Sequence, residues 1–247
     1  MNLNDSIVFA QGKFVKYDDA RIGLLTHGLH YGTGCFEGIR GYWSASDREL
    51  FLVQLRPHYE RLATSAKTLL MNLPHGTEEL VELTAELCAR NHFEENVYVR
   101  PIIFKAAEDI GVRLAGVPDA FALIAVPFNR YYDADAGLRV CVSSWRRIDD
   151  ASIPARAKIT GSYVNSALAK SEAQMNGFDE ALLLSADGHV AEGSAENLFL
   201  VKRNVIYTAD PSQNILEGVT RNCAMTLARE RLGLTIVERM IDRSDSR

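Results

Sequence analysis

The sequence predicts a mixed α and β fold, and three observations support this prediction. Apolar residues recur at helical spacing in residues 55–70, and residues 163–175 form a helical stretch that ends at an Asn-Gly pair. Residues 97–104 and 120–126 are dense in Val, Ile, Phe and Leu, which is typical of buried strands. Helices and strands alternate in both halves without strict β-α-β regularity, so a mixed fold is expected.

The N-terminal half is expected to contain a hairpin, a loop and two helices. Residues 7–15 predict a β-hairpin with a glycine turn. The glycine-rich and aromatic stretch 28–41 predicts a loop that runs into a strand. Thr77, with two glutamates after it, is the expected N-cap of a helix that continues to about residue 91.

The domain boundary is predicted from one polar, aperiodic stretch. Residues 129–137 are the expected linker between a small domain, residues 1–128, and a large domain, residues 138–247. Within the large domain, a second helix is expected to begin at Val219. Strands are predicted there at residues 138–144, 181–185, 198–201, 205–207 and 234–237.

Composition excludes several classes of protein. The chain has 247 residues, 47% of them apolar, and a net charge of −5 with both signs interspersed. We therefore expect no nucleic-acid partner and no membrane span. The first residues lack the pattern of a signal peptide, and the four cysteines show neither a CxxC nor a metal-binding spacing. These features favour a cytoplasmic protein without a metal site.

Lys158 is the first candidate for covalent chemistry. It lies between a predicted strand and a helix start broken by Gly161. A lysine that forms a Schiff base needs a fixed, partly desolvated position and a lowered pKa, and we expect nearby Arg156 to lower that pKa. The alternative interpretation is an ordinary surface lysine, one of seven in the chain.

A second candidate site lies between residues 192 and 221. The carboxylate of Glu192 is suited to hold a pyridine nitrogen protonated. Gly218, Val219 and Thr220 begin a predicted helix, where free backbone N–H groups and a hydroxyl favour a phosphate. The alternative interpretation of these three residues is a turn followed by an N-cap threonine.

These segments resemble a known family. Residues 192–221 resemble the signature of the class IV aminotransferases, and residues 30–40 and 98–101 resemble the branched-chain amino-acid aminotransferases in particular. The resemblance extends over essentially the whole chain. It implies a pyridoxal-phosphate enzyme of fold type IV, with a small α/β sandwich domain and a larger, barrel-like α/β domain. It also implies transamination of leucine, isoleucine and valine with 2-oxoglutarate, giving branched 2-oxo acids and L-glutamate.

The resemblance implies a role for each cofactor-binding candidate. Lys158 would form the Schiff base with pyridoxal phosphate and move the proton between substrate Cα and cofactor C4′. Glu192 would pair with the pyridine nitrogen, and Tyr163 would hydrogen-bond the ring oxygen O3′. Without the resemblance, Arg56 would be interpreted as a solvated arginine at a helix start. The remaining cofactor-binding candidates are Arg56, Leu216, Gly218, Val219 and Thr220.

The resemblance also implies a substrate pocket. Arg100 would hold the distal carboxylate of glutamate or 2-oxoglutarate, and the hydroxyls of Tyr31 and Tyr131 would satisfy its guanidinium in the absence of an acid. Val112 would enter the pocket of a neighbouring subunit, so a homodimer or larger homo-oligomer is expected. The other wall candidates are Phe36, Gly38, Arg40 and Tyr98.

Alternative functions remain open at this point. A D-amino-acid aminotransferase, an amine transaminase and an aminodeoxychorismate lyase would share the fold, although residues 36–40 and 98–100 argue against all three. A catalytically inactive cofactor-binding fragment is a further alternative. Family members continue past the strand near Glu238 to a Gly-Thr loop that completes the phosphate site, whereas this sequence has no such loop after Arg221 and is expected to be truncated relative to them.

Overall fold

The computed structural model describes residues 3–128 and 136–246. The chain forms two compact units, Met1–Tyr132 with Ala157–Gly161, and Asp133–Arg156 with Ser162–Arg247. Tyr131 and most of the expected linker lie outside the described residues, so the domain boundaries remain a prediction. Among the described residues, no helix has the length and apolarity needed to cross a lipid bilayer.

The first unit is built on a seven-stranded antiparallel sheet. The strand order is β2-β1-β7-β6-β4-β5, and β3 also pairs with β6. The strands are β1 (Ile7–Ala10), β2 (Lys13–Lys16), β3 (Gly34–Phe36), β4 (Ile39–Ser44), β5 (Glu49–Leu52), β6 (Val97–Lys105) and β7 (Asp119–Pro127). The helices are α1 (His27–Tyr31), α2 (Leu55–Thr68) and α3 (Thr77–Arg90). The predicted hairpin and both longer helices are therefore confirmed.

The two long strands of this sheet are buried on one face only. Burial alternates along β6, where Val97, Val99 and Ile103 are inaccessible, and β7 follows the same pattern at Leu123. Helices α2 and α3 contact β3, β1 and β7. The prediction of fully buried strands was wrong for the other face, because antiparallel sheets need cover on one side only. That second face carries the alternate residues of β6.

Two local predictions were also wrong in this unit. The stretch predicted as a loop contains the short helix α1, which ends at Gly32 in the left-handed conformation with φ 63°. A Cβ atom on Gly32 would lie 2.7 Å from the Cα of Gly161, so glycine also permits a close backbone approach here. Thr77 is the first residue of α3 and Gly76 is its N-cap, so the threonine hydroxyl does not cap the helix.

The second unit contains two three-stranded sheets, with orders β10-β9-β8 and β11-β12-β13. Their strands are β8 (Val140–Arg146), β9 (Glu180–Leu184), β10 (Val190–Gly193), β11 (Phe199–Lys202), β12 (Val205–Ala209) and β13 (Thr235–Arg239). The helices are α4 (Tyr163–Met175) and α5 (Val219–Leu232). Helix α4 connects the parallel strands β8 and β9, and its buried Ala169 and Ala173 pack with Ala181 and Leu183. The mixed α and β class is confirmed.

Candidate active site

Lys158 is held by its backbone in the first unit. Its N–H donates to the hydroxyl of Ser65 on α2 at 3.0 Å. Its carbonyl accepts a hydrogen bond from the N–H of Phe36, the last residue of β3, at 3.1 Å. The next residue, Ile159, forms an antiparallel bridge with Cys35. A helix and a strand therefore fix the position of the Lys158 side chain.

Burial lowers the pKa of Lys158 to about 8. Glu37 opposes this shift, whereas the guanidiniums of Arg61 and Arg100 add to it. At this pKa a substantial fraction of the amine is neutral near physiological pH, as a nucleophilic lysine requires.

The expected influence of Arg156 was wrong. The guanidinium of Arg156 pairs with Asp150 at 3.4 Å and with Glu217 at 3.6 Å. It is not among the groups that shift the pKa of Lys158. The charged residues that act on the Lys158 amine are far from it in sequence. The neighbouring position of Arg156 therefore did not indicate an effect on the pKa of Lys158.

The ring of Phe36 is shared by two cations. The Lys158 amine lies 4.8 Å and the Arg100 guanidinium 4.5 Å from the ring centroid. Arg100 donates to the hydroxyl of Tyr98 at 2.9 Å. A Cβ atom on Gly38 would lie 2.1 Å from that hydroxyl, so only glycine allows the tyrosine to take this position. The structure brings these predicted residues together.

Arg100 keeps one unsatisfied donor. Its Nε is buried without a hydrogen-bond partner in the described part of the chain. The hydroxyl of the expected partner Tyr31 accepts a hydrogen bond from the Gly111 N–H at 3.1 Å, and its role toward Arg100 stays a prediction. Tyr131, the other expected partner, lies outside the described residues. Tyr98 is a hydrogen-bond partner of Arg100 in the structure. Residues two apart in a strand point to the same face, so this contact could have been predicted from the sequence.

Three further candidates lie elsewhere in the first unit. Arg40 on β4 pairs in register with Tyr98, and its guanidinium lies 4.8 Å from the centroid of the Phe128 ring. Val112 is 78% exposed. Arg56 forms a bidentate ion pair with Glu78, in which Nη2 donates to Oε2 at 2.8 Å. The roles of these residues toward substrate or cofactor remain predictions.

Glu192 is the centre of the hydrogen-bond network in the second unit. One oxygen pairs with Nε of Arg147 at 2.8 Å. The other accepts from Nδ2 of Asn197 at 3.0 Å and from the N–H of Leu216 at 3.1 Å. Three donors on two carboxylate oxygens hold the plane of the carboxylate, so this network orients Glu192. Sequence reasoning missed Arg147 and Asn197.

Helix α5 begins at the residues predicted to bind a phosphate. Gly218 is the N-cap and has no side chain to accept from the first helical N–H groups. Val219 and Thr220 are therefore the first residues of a 14-residue helix whose N-terminal donors suit an anion. A Cβ atom on Gly218 would lie 2.2 Å from Oδ1 of Asn197. Tyr163 is the first residue of α4.

The donor set has a coherent chemistry. The first unit provides an amine of lowered pKa for an aldehyde. The second unit provides an oriented carboxylate for a basic ring nitrogen and a helix N-terminus for a phosphate. Residues 34–246 match the family model described as amino-transferase class IV, and the chain belongs to that family.

Within this family, the chain is similar to branched-chain enzymes. It is 46% identical to the probable branched-chain-amino-acid aminotransferase of Aquifex aeolicus, over 96% of this chain and 76% of the relative. It is 38% identical to the branched-chain-amino-acid aminotransferase of Pseudomonas aeruginosa, over 98% of this chain and 78% of that relative. The chain thus spans about three quarters of these relatives' length.

Solved structures agree with this assignment. The branched-chain aminotransferase of Thermoproteus uzoniensis with norvaline superposes with a TM-score of 0.93 at 38% identity, over 98% of this chain and 80% of that one. The T.th. branched-chain enzyme complexed with N-(5'-phosphopyridoxyl)-L-glutamate gives a TM-score of 0.91 at 38% identity, over 98% and 79%. Fold type IV and pyridoxal phosphate as the cofactor are thereby confirmed, and the residues described above fit that cofactor chemically.

Proposed function

We propose that the chain transfers the amino group of leucine, isoleucine or valine to 2-oxoglutarate, giving branched 2-oxo acids and L-glutamate. The observation that carries this proposal is that the apolar ring of Phe36 contacts both an amine of lowered pKa and the guanidinium of Arg100. The T.th. relative supports it, since its structures include complexes with 4-methylvaleric acid and with a phosphopyridoxyl-glutamate.

The proposed chemistry assigns separate tasks to two side chains. Bound pyridoxal phosphate supplies an electron sink for the charge that develops at the substrate Cα. The neutral amine of Lys158 would take the proton from the substrate Cα and return it at C4′ of the cofactor. Glu192, oriented by Arg147 and Asn197, accepts a hydrogen bond from the protonated ring nitrogen. Its network of donors keeps the carboxylate in one orientation for that contact.

We infer that the phosphate is held mainly by the start of α5. The N–H groups of Val219 and Thr220 and the threonine hydroxyl are donors there. In the first unit, Arg56 is the other phosphate candidate, and its exposed pairing with Glu78 contributes little stability. Tyr163 donates to the ring oxygen.

The proposed substrate pocket accepts two kinds of side chain. Phe36, Gly38 and Tyr98 provide an apolar wall for branched aliphatic groups. The Nε of Arg100, which has no hydrogen-bond partner among residues 3–128 and 136–246, provides a donor for the distal carboxylate of glutamate. When an apolar substrate is bound, the Tyr98 hydroxyl still satisfies part of the guanidinium. One pocket therefore accepts both the apolar and the acidic substrate, and the guanidinium of Arg100 keeps a hydrogen-bond partner in each case.

We further propose that the protein is a cytoplasmic homodimer or larger homo-oligomer. The first unit exposes Leu24 by 85%, Ile110 by 77% and Val112 by 78%. It also has a largely apolar groove of about 540 Å³ next to Leu29 and Ile102. Exposed apolar surface of this kind favours association. None of the four cysteines forms a disulfide with a described residue, which suits a reducing compartment.

A substrate panel tests the proposed reaction. Leucine with 2-oxoglutarate is expected to give glutamate, whereas D-alanine turnover and pyruvate release from aminodeoxychorismate should be absent. Lys158→Ala should abolish transamination and keep the fold, judged by circular dichroism and thermal unfolding. A borohydride-reduced adduct that maps to another lysine would remove Lys158 from its role.

The inactive alternative has its own test. An inactive cofactor-binding protein would show a cofactor absorbance band that does not change when leucine is added. For an active enzyme, we expect that band to shift with leucine and to return with 2-oxoglutarate. A static band in a folded, cofactor-loaded protein would favour the inactive alternative.

A further inference from the structure

A buried charged cluster lies beside Lys158, formed by Glu37, His58 and Arg61. Glu37 is completely inaccessible and His58 is 6% exposed. Arg61 donates from Nε to one carboxylate oxygen and from Nη2 to the other, both at 2.7 Å. Nδ1 of His58 lies 2.7 Å from the second oxygen. Burial alone would raise the pKa of Glu37, but the hydrogen bonds and charges of His58 and Arg61 hold it below its usual value.

The cluster uses the same elements that hold Lys158. His58, Arg61 and Ser65 follow one another at spacings of three and four along α2, so they share one helix face. Ser65 accepts the Lys158 N–H. Glu37 directly follows the β3 strand whose last residue donates to the Lys158 carbonyl. The ion pair therefore connects the helix and the strand between which Lys158 is held.

The two charges of the pair act on Lys158 in opposite directions. Glu37 raises the pKa of Lys158 and Arg61 lowers it, while burial has the largest effect and lowers it. Two residues of β6 also act on the amine: Tyr98 raises the pKa of Lys158 and Arg100 lowers it. As long as the pair is intact, its two contributions oppose each other, and burial decides the outcome.

We propose that Glu37 and Arg61 are positioning residues that form a charge-neutral support for Lys158, in addition to connecting α2 with β3. A buried ion pair is weak support for stability alone, since well-packed apolar residues are often at least as good in its place. Here each partner also acts on the amine, so loss of either one alters the chemistry of Lys158. This inference rests on the role proposed for Lys158 in transamination.

Two single substitutions with opposite expected effects test the proposal. In Glu37→Gln the remaining Arg61 charge should lower the pKa of Lys158, by roughly one unit. In Arg61→Gln the remaining carboxylate, still hydrogen-bonded to His58, should raise it by a similar amount. The double variant should return close to the wild-type value of about 8.

The readout is the titration of Lys158 itself in the cofactor-free protein. Lysines are reductively methylated with ¹³C-formaldehyde and followed by NMR, with the Lys158 signal assigned by its loss in Lys158→Ala. Glu86→Gln and Arg90→Met are matched controls, because they remove the same charges from an exposed ion pair in α3. Neither control should move the Lys158 signal.

The outcomes separate this inference from the proposed function. Opposite shifts in the two single variants support it, whatever the measured transaminase activity. Shifts of the same sign, or none, would overturn it even if leucine turnover is confirmed. All samples contain trimethylamine N-oxide, which favours the folded state. Failure of either single variant to fold in that solution would assign the pair to stability alone and also overturn the proposal.

Discussion

Arg100 has a charge that a β-strand tolerates only when the charge is paired. Its guanidinium is satisfied in part by Tyr98 and by the face of the Phe36 ring. Nε remains buried without a partner among the described residues. An unsatisfied charged donor costs free energy, and a substrate carboxylate removes that cost. The environment of Arg100 therefore supports the role that we propose for it in binding acidic substrates.

Replacement of Arg100 by leucine should separate the two substrate types. A hydrogen bond to a charged group contributes roughly 1.5–3 kcal/mol, or about tenfold to a hundredfold in binding. Arg100→Leu should raise KM for glutamate and 2-oxoglutarate by about that factor and change KM for leucine much less. Each half-reaction is measured separately from the cofactor spectrum. Equal losses for leucine and glutamate would mean that Arg100 is structural.

The lowered pKa of Lys158 predicts a pH dependence. Because the neutral amine is the nucleophile, its reactive fraction falls tenfold for each pH unit below about 8 and is nearly constant above that value. In the cofactor-free protein, the rate of aldehyde capture at Lys158 should follow this curve. Borohydride trapping and peptide mass mapping give the rate. A rate that still rises near the ordinary lysine pKa of about 10.4 would contradict the assignment.

At the scale of secondary-structure elements, the start of α5 and strand β10 are coupled through one asparagine. Asn197 donates to Glu192 on β10 at 3.0 Å and to the carbonyl of Leu216 at 2.8 Å. Gly218, the N-cap of α5, leaves the space that the Asn197 side chain fills. The orientation of the carboxylate therefore depends on the absence of a Cβ atom at the helix start.

Gly218→Ala should weaken cofactor binding. Its Cβ would lie 2.2 Å from Asn197 Oδ1, so the asparagine must move away from Glu192. Loss of that hydrogen bond to a charged group should reduce cofactor affinity about tenfold or more. Gly76→Ala is a matched control, since Gly76 is also an extended N-cap glycine and a Cβ there meets nothing within 4 Å. Equal affinities for both variants, measured by fluorescence titration, would contradict the coupling.

At the scale of the whole molecule, the exposed apolar side chains of the first unit favour self-association. Ile110→Asp would place a charge in a surface that we propose to be covered by a second copy. An unpaired charge in an interface costs several kcal/mol, so association should weaken more than tenfold. Met175→Asp is the control, because Met175 is 87% exposed at the end of α4. Sedimentation analysis with no difference between the two variants would argue against this interface.

Local patterns were sufficient for much of the fold. Helix α4 has the predicted bounds and ends at Met175, because Asn176 is its C-cap and Gly177 takes a left-handed conformation. Helix α5 begins at Val219 as predicted. Strands β5 and β10 were missed, because each has only four residues, too few to show a strand periodicity. Such short segments become strands through pairing with β4 and β9.

By itself, the sequence determined the class of chemistry. Each of these candidates, Lys158, Glu192 and the residues that begin α5, lies in a short sequence motif. The neighbouring residues in the sequence were therefore enough to predict the candidate. Their environment depends on residues distant in sequence. Glu37 meets Arg61 from 24 positions away, and that pair faces Lys158 only after β3 and α2 have packed. Charge and burial act through space, which is why only the tertiary structure decided the pKa of the lysine and the groups that set it.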